Sequence, residues 1–104
     1  MKFAFLIEQK KKKELDALLA ADPYAKDSFA TIGFVLKESK PLGLKGGFYV
    51  VYFKTEDDAI AKILSTKLEA LEGKKLDGED EKKVFDAIEQ EENNATQGFG
   101  AIFG

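Results

Sequence analysis

Four residue types that carry much of protein chemistry are absent from this chain of 104 residues: cysteine, histidine, arginine and tryptophan. Without cysteine there is no disulfide, no thiolate nucleophile and no cysteine-ligated zinc. Without histidine the chain lacks the usual general base near neutral pH and the commonest metal ligand. Without arginine it lacks the rigid fork that binds carboxylates and phosphates through two hydrogen bonds. We therefore expect no metal site and no cofactor.

Long hydrophobic runs are also absent, since no stretch of about 18 apolar residues occurs. The sequence thus predicts no membrane-spanning helix. The first segment, MKFAFLIE, is too short for a signal peptide and has no small-residue cleavage site. A chain with 44% hydrophobic and 34% charged residues is typical of a globular protein. We expect one cytoplasmic domain spanning residues 1–104.

Charge is divided unevenly along the chain. Residues 1–54 hold 10 lysines and 6 acidic residues, whereas residues 55–104 hold 6 lysines and 13 acidic residues. Such asymmetry either steers a charged partner or reflects solvated helix faces.

Apolar patterns predict an alternation of strands and helices. Short apolar runs indicate strands, and apolar stripes spaced three and four residues apart indicate helices. The predicted elements are strands at 2–8, 29–38, 48–54 and 96–104 and helices at 9–21, 55–73 and 77–95. This order, β-α-β-β-α-(α)-β, is ferredoxin-like apart from an extra C-terminal helix. We expect an α+β two-layer sandwich with a four-stranded antiparallel sheet.

Several element boundaries have local signals. Thr55 is the predicted N-cap of the helix at 55–73, and Gly73 is its predicted end. Pro23 breaks the chain after the first helix, and we expect Tyr24 to pack against that helix end. Three glycines interrupt the predicted strand at 96–104.

The predicted strands are apolar on both faces, which is unusual for a sheet with helices on one side. The set assigned to the core beneath the helices is Phe3, Phe5, Ile7, Ile32, Phe34, Leu36, Phe48, Val50 and Tyr52. The set assigned to the other face is Ala4, Leu6, Thr31, Gly33, Val35, Tyr49, Val51 and Phe53. About 400 Å² of exposed apolar surface forgoes burial worth on the order of 10 kcal/mol. We therefore expect a cover, supplied by a second copy of the chain, by the third helix or by a ligand.

Residues 45–52, KGGFYVVY, resemble the third-strand signature of the RNA-recognition motif. The match covers the Lys-Gly start, Tyr49, Val50 and Tyr52, and the segment that follows is similar to that family's second helix. The resemblance implies a single-stranded RNA binder that uses Lys45, Tyr49 and the loop at 39–47.

Residues 17–29, ALLAADPYAKDSF, are similar to a helix–turn–strand junction in YCII-related proteins of the dimeric α+β barrel class. In that class two ferredoxin-like sheets pack face to face. The resemblance implies a homodimer in which a second subunit covers the sheet. The family's active-site histidine has no counterpart here, so it implies the architecture alone.

The leading hypothesis is a small, non-enzymatic cytoplasmic binding or interaction protein that dimerises through its sheet face, without a membrane or nucleic-acid partner. A small ligand held between two such sheets would touch Leu6, Glu8, Tyr49, Val51 and Phe53. One alternative is the RNA binder described above. The other is a small enzyme in which Glu8 and Tyr49 perform acid–base chemistry in a sheet cavity.

Overall fold

The computed structural model describes the backbone of residues 1–103 and the side chains of residues 1–92. The elements follow one another as β1 (Lys2–Glu8), α1 (Lys12–Ala20), α2 (Phe29–Ile32), β2 (Val35–Glu38), β3 (Phe48–Lys54), α3 (Asp58–Glu69), β4 (Lys74–Lys75) and α4 (Gly78–Phe103). Short 3-10 turns lie at Gln9–Lys11 and Lys40–Leu42. Within the described part of the chain, no helix is long and apolar enough to cross a membrane.

The four strands form one antiparallel sheet in the order β2-β3-β1-β4. Because β3 lies between β1 and β2 and is antiparallel to both, β1 and β2 run in the same direction. They are joined through α1 and α2 with β3 inserted between them, which is the split βαβ arrangement. The predicted α+β class and four-stranded antiparallel sheet are confirmed, and the strand order agrees with a ferredoxin-like fold.

The fourth strand is not where the sequence places it. It is the two-residue β4, where Lys75 pairs with Phe5 and Lys74 pairs with Leu6. The strand predicted at 96–104 is wrong, because α4 continues to Phe103; Gly104 lies outside the described residues. Two exposed lysines carry no alternating apolar signal, so only pairing with β1 identifies this strand.

Only the last four residues of the predicted strand at 29–38 form a strand. Ser28 caps the short helix α2 by accepting a hydrogen bond from the backbone N–H of Thr31. Gly33 then turns the chain with φ of 90°, a value that favours glycine, and β2 begins at Val35. A serine cap offers the backbone local hydrogen bonds that compete with a sheet ladder.

Helix α3 also begins later than predicted. Its N-cap is Asp57, whose carboxylate accepts hydrogen bonds from the backbone N–H groups of Ala59 and Ile60 at 2.9 and 3.2 Å. Thr55, the predicted cap, instead accepts a hydrogen bond from the N–H of Asp57 at 3.2 Å.

Two apolar cores lie on opposite faces of the sheet. The first lies between the sheet and helices α1 to α3 and contains Phe5, Ile7, Leu15, Leu19, Phe29, Val51, Phe53, Leu64 and Leu68. The second lies between the sheet and α4 and contains Ala4, Val50, Tyr52, Leu76, Val84 and Ile88. The face that was expected to need a cover is therefore buried by the chain's own C-terminal helix.

The sequence-based face assignment of β3 is wrong by one residue. Phe5 lies opposite Val51 and Ala4 lies opposite Tyr52, and residues directly opposite each other share a face. Val51 thus belongs to the first core, and Tyr52 to the second. Because β3 is apolar on both faces, its sequence does not show which of its side chains point to which face of the sheet. Only the pairing with β1 fixes this assignment.

Candidate functional site

The residues predicted to bind a ligand are divided between the two faces of the sheet. Val51 and Phe53 are fully buried in the first core, with exposed fractions of 0% and 1%. Tyr49 is half-buried against the same core, and the ammonium of Lys12 lies 5.6 Å from its ring centroid. Leu6 packs on the second core. No single surface of the described chain contains all of them.

Glu8 and Tyr49 are not brought together for acid–base chemistry. Ile7 is the residue opposite Tyr49 in the sheet, so the next residue, Glu8, points to the other face. A carboxylate oxygen of Glu8 lies 3.0 Å from the ammonium of Lys10. The hydrogen bond to Glu8 raises the pKa of Lys10 above its ordinary value.

The residues of the predicted RNA site, Lys45 and Tyr49, do not lie on an uncovered face of the sheet. Lys45 is exposed in the loop before β3, where its carbonyl accepts a hydrogen bond of 2.6 Å from the buried Ser39 hydroxyl. Tyr49 lies on the face covered by α1. Tyr24, expected to pack on a helix end, is instead 97% exposed.

A groove that the sequence did not predict lies where β2 meets α4. One part, of about 190 Å³, is a notch between residues 32–35 and residues 52–54. The other part, of about 160 Å³, lies between Val35 of β2 and Ile88 of α4, with Glu91 and Glu92 at its rim. Val35 and Glu92 line both parts, so the two form one surface along the edge of the sheet.

The outer edge of β2 presents backbone groups that have no sheet partner among the described residues. The N–H of Ser39 donates to the carbonyl of Phe48 at 3.0 Å, and in an antiparallel pair such bonded positions alternate. The backbone N–H and C=O groups of Val35 and Lys37 therefore face β3, whereas those of Leu36 and Glu38 face outward. Within the described residues, β2 pairs with β3 alone.

The notch exists because β2 is shorter than β3. The N–H of Thr55 donates to the carbonyl of Met1 at 3.0 Å, so the backbone of the preceding residue, Lys54, faces the β2 side. Continued pairing would place Gly33 opposite Lys54, but the register ends at Val35 and Tyr52. The positive φ of Gly33 turns the chain away, which opens the space.

Ion pairs join the sheet to α4 along this groove. Lys37 of β2 pairs with Glu91 at 2.5 Å, and Lys2 of β1 pairs with Glu89. The hydrogen bond to Glu89 raises the pKa of Lys2. Burial raises the pKa of Tyr52, with a smaller opposing effect from Lys2. The Tyr52 hydroxyl therefore stays protonated at neutral pH, as a hydrogen-bond donor and not a base.

The shape of the groove limits what it can hold. Pockets for drug-sized ligands have volumes of about 300–1,000 Å³, whereas each part of this groove has room for a single apolar side chain or a small fragment. A third depression, of about 310 Å³, is lined by the charged residues Glu79, Lys82, Lys83 and Asp86. Among the described residues no cluster of acidic side chains could hold a metal ion.

The sequence contained one usable signal for this site. Gly33 between two apolar residues marks a bend in a strand, and a bend at that point makes β2 begin late, at Val35. The position of α4, which forms the other wall, has no equivalent signal.

No family model matches the chain, and neither a curated protein nor a solved structure matches it.

Proposed function

We propose that this chain is a small, non-enzymatic cytoplasmic binding module whose ligand site is the groove between β2 and α4. The observation that carries the proposal is the coincidence of an apolar space with outward-facing backbone groups. The groove has Val35 and Ile88 as apolar walls, and the adjoining outer edge of β2 presents the outward backbone groups of Leu36 and Glu38 as hydrogen-bonding partners. Apolar walls with a few placed polar groups are the usual composition of a binding site.

The side chains near the groove favour binding over catalysis. Tyr52 is the titratable group of the notch with a shifted pKa, and the shift keeps its proton in place. A general base needs the opposite property. Glu8 and Tyr49, the acid–base pair of the enzyme hypothesis, lie on different faces of the sheet and away from this groove.

The homodimer predicted from the sequence rested on an uncovered sheet face. Because α4 packs on that face through Val84 and Ile88, a dimer through it would require α4 to be displaced. The proposal therefore does not include it. Sedimentation equilibrium across a range of protein concentrations measures the oligomeric state directly.

Fragment binding tests the proposed site. Indole, benzamide and 4-methylpentan-1-ol are titrated separately into ¹⁵N-labelled protein while amide chemical shifts are recorded. We expect the shifts to concentrate at Val35, Tyr52, Lys54 and Ile88. The absence of shifts at these positions, or shifts centred on the loop at 39–47, would contradict the proposal.

A matched pair of variants tests the location. Val35 lines both parts of the groove, so the larger ring of Val35→Phe narrows the groove and should abolish fragment binding. Gln90→Phe adds the same ring at an exposed position of α4 and should leave binding unchanged. Equal binding by both variants would place the fragments elsewhere.

A further inference from the structure

The outer edge of β2 has the pattern required for adding another strand. Leu36 and Glu38 each present an N–H donor and a C=O acceptor outward, as the alternation from the Ser39–Phe48 hydrogen bond requires. Proteins that bind peptides by strand addition gain affinity from such main-chain groups. Their specificity comes from pockets for alternate side chains.

The groove supplies such a pocket at the matching position. Val35 shares the second face of the sheet with Tyr52, and the space between Val35 and Ile88 lies on that face. A strand added beside β2 would direct the side chain opposite Val35 into this space. The volume of about 160 Å³ suits a side chain such as valine or leucine.

Charge indicates what else the added strand should contain. The residues of an added strand that flank the one opposite Val35 point to the first face of the sheet, where Leu36 and Glu38 lie and α4 does not. Glu38 lies at the end of β2 and is exposed. A lysine or arginine opposite Glu38 would form a cross-strand ion pair with it, so the partner should place basic residues between its apolar ones.

We propose that the occupant of this groove is an extended segment of a partner protein in which apolar and basic residues alternate, bound as a fifth strand beside β2. The proposal rests on the proposed function, since it names the ligand class of the same groove. A second copy of this chain fits less well. Pairing two β2 edges through both Leu36 and Glu38 places Lys37 directly opposite its counterpart, and directly opposed like charges are destabilising.

The probe is an acetylated and amidated octapeptide, (Val-Lys)₄, titrated into the ¹⁵N-labelled protein. We expect amide shifts at Leu36 and Glu38 and slower solvent exchange of these two amides. With valine opposite Val35, the lysines of the peptide lie opposite Leu36 and Glu38 and donate their N–H groups to the outward carbonyls.

Two isomeric peptides separate strand addition from ionic attraction. The first has N-methyl groups on the lysines, which removes the N–H groups that face β2. The second has them on the valines, whose N–H groups face solvent. Their composition and charge are identical. Since each lost hydrogen bond weakens binding by about fivefold, we expect the lysine-methylated isomer to bind at least about tenfold more weakly.

Two protein variants test the same point from the other side. Glu38→Pro removes an outward N–H without breaking the ladder to β3, because proline is tolerated on an edge strand when its nitrogen faces solvent. Glu38→Ala removes the same charge and keeps the N–H. We expect the proline variant to lose most of the peptide binding that the alanine variant retains, with circular dichroism showing that both variants are folded.

The outcomes are distinct. Equal binding of the two methylated isomers would overturn strand addition, as would equal binding by the two variants. If the octapeptide does not bind while the fragments still shift Val35 and Ile88, this inference fails and the proposed function stands. If neither probe reaches the groove, both fail.

Discussion

The ring of Tyr52 meets the ring of Phe85 edge to face, with centroids 5.7 Å apart and an angle of 71° between the planes. Tyr52 belongs to β3 and Phe85 to α4, so the contact joins the sheet to the helix that covers its second face. The ammonium of Lys2 lies 5.9 Å from the same Phe85 centroid. Aromatic pairs of this kind contribute about 0.5–1.5 kcal/mol beyond area burial, so α4 is held by specific contacts.

Truncation of Ile88 tests whether α4 covers the sheet in solution. Ile88 is 2% exposed in the second core, and Ile88→Ala should lower the free energy of unfolding by about 2–5 kcal/mol. Gln90→Ala, at an exposed position of the same helix, should change it by less than about 0.5 kcal/mol. Urea denaturation followed by circular dichroism measures both. An Ile88→Ala variant as stable as Gln90→Ala would mean that α4 does not pack on the sheet.

A methyl group at Gly73 should be poorly tolerated. An added Cβ would lie 2.5 Å from the Leu68 carbonyl oxygen and 2.6 Å from Cδ1 of Ile7. Both distances are shorter than real contacts, and such overpacking costs about 1–3 kcal/mol. At Gly46 the nearest atom to an added Cβ is the Lys40 Cδ, 3.8 Å away.

Gly73→Ala should therefore reduce the thermal midpoint clearly, whereas Gly46→Ala should leave it unchanged or raise it slightly because alanine restricts the unfolded chain. Differential scanning calorimetry compares the two. A Gly73→Ala variant as stable as the wild type would contradict the close approach of this turn to Leu68 and Ile7.

At the start of α3, alanine substitution of two neighbouring acidic residues should lower the free energy of unfolding by different amounts. Asp57→Ala removes a side chain that accepts hydrogen bonds from two backbone N–H groups, and loss of such a cap costs about 0.5–2 kcal/mol. Asp58→Ala removes the same charge within the first turn but leaves the cap in place. Chemical denaturation should show the larger loss for Asp57→Ala. Equal losses would assign the effect to helix-dipole electrostatics.

Tyr52 predicts a loss of stability at alkaline pH. Burial raises the pKa of its hydroxyl in the folded state above the ordinary value of 10.0. As pH rises through 10.0, the unfolded chain releases the tyrosine proton before the folded chain does. Unfolding therefore becomes more favourable until the folded-state pKa is passed. The tyrosine contributes no such change below pH 10.0.

Tyr52→Phe keeps the ring and removes the titrating group, so its stability should fall less steeply above pH 10.0 than that of the wild type. Tyr24→Phe, at a 97% exposed position, is the matched control and should retain the wild-type profile. Urea denaturation at a series of pH values provides the comparison. Parallel curves for the wild type and Tyr52→Phe would contradict burial of the hydroxyl.

Strong local patterns determined several elements from the sequence alone. The apolar runs at 2–8 and 48–54 became β1 and β3 with the predicted bounds. The signals fail where two local choices compete. Ser28 caps a helical turn formed by the residues that follow it. Asp57 is the N-cap of α3, although Thr55 is also a suitable cap residue.

Long-range pairing decided the remainder. In a strand that is apolar on both faces, either alternate set of side chains could face either core. Only the pairing of β3 with β1 directs Val51 to one core and Tyr52 to the other. The two lysines of β4 are a strand because Phe5 and Leu6 lie opposite them. The groove arises because β2 begins only at Val35 and lies beside α4, a segment distant in sequence. The sequence determined that both sheet faces must be buried, because their apolar side chains cannot stay in water; only the tertiary structure decided that α4 buries the second one.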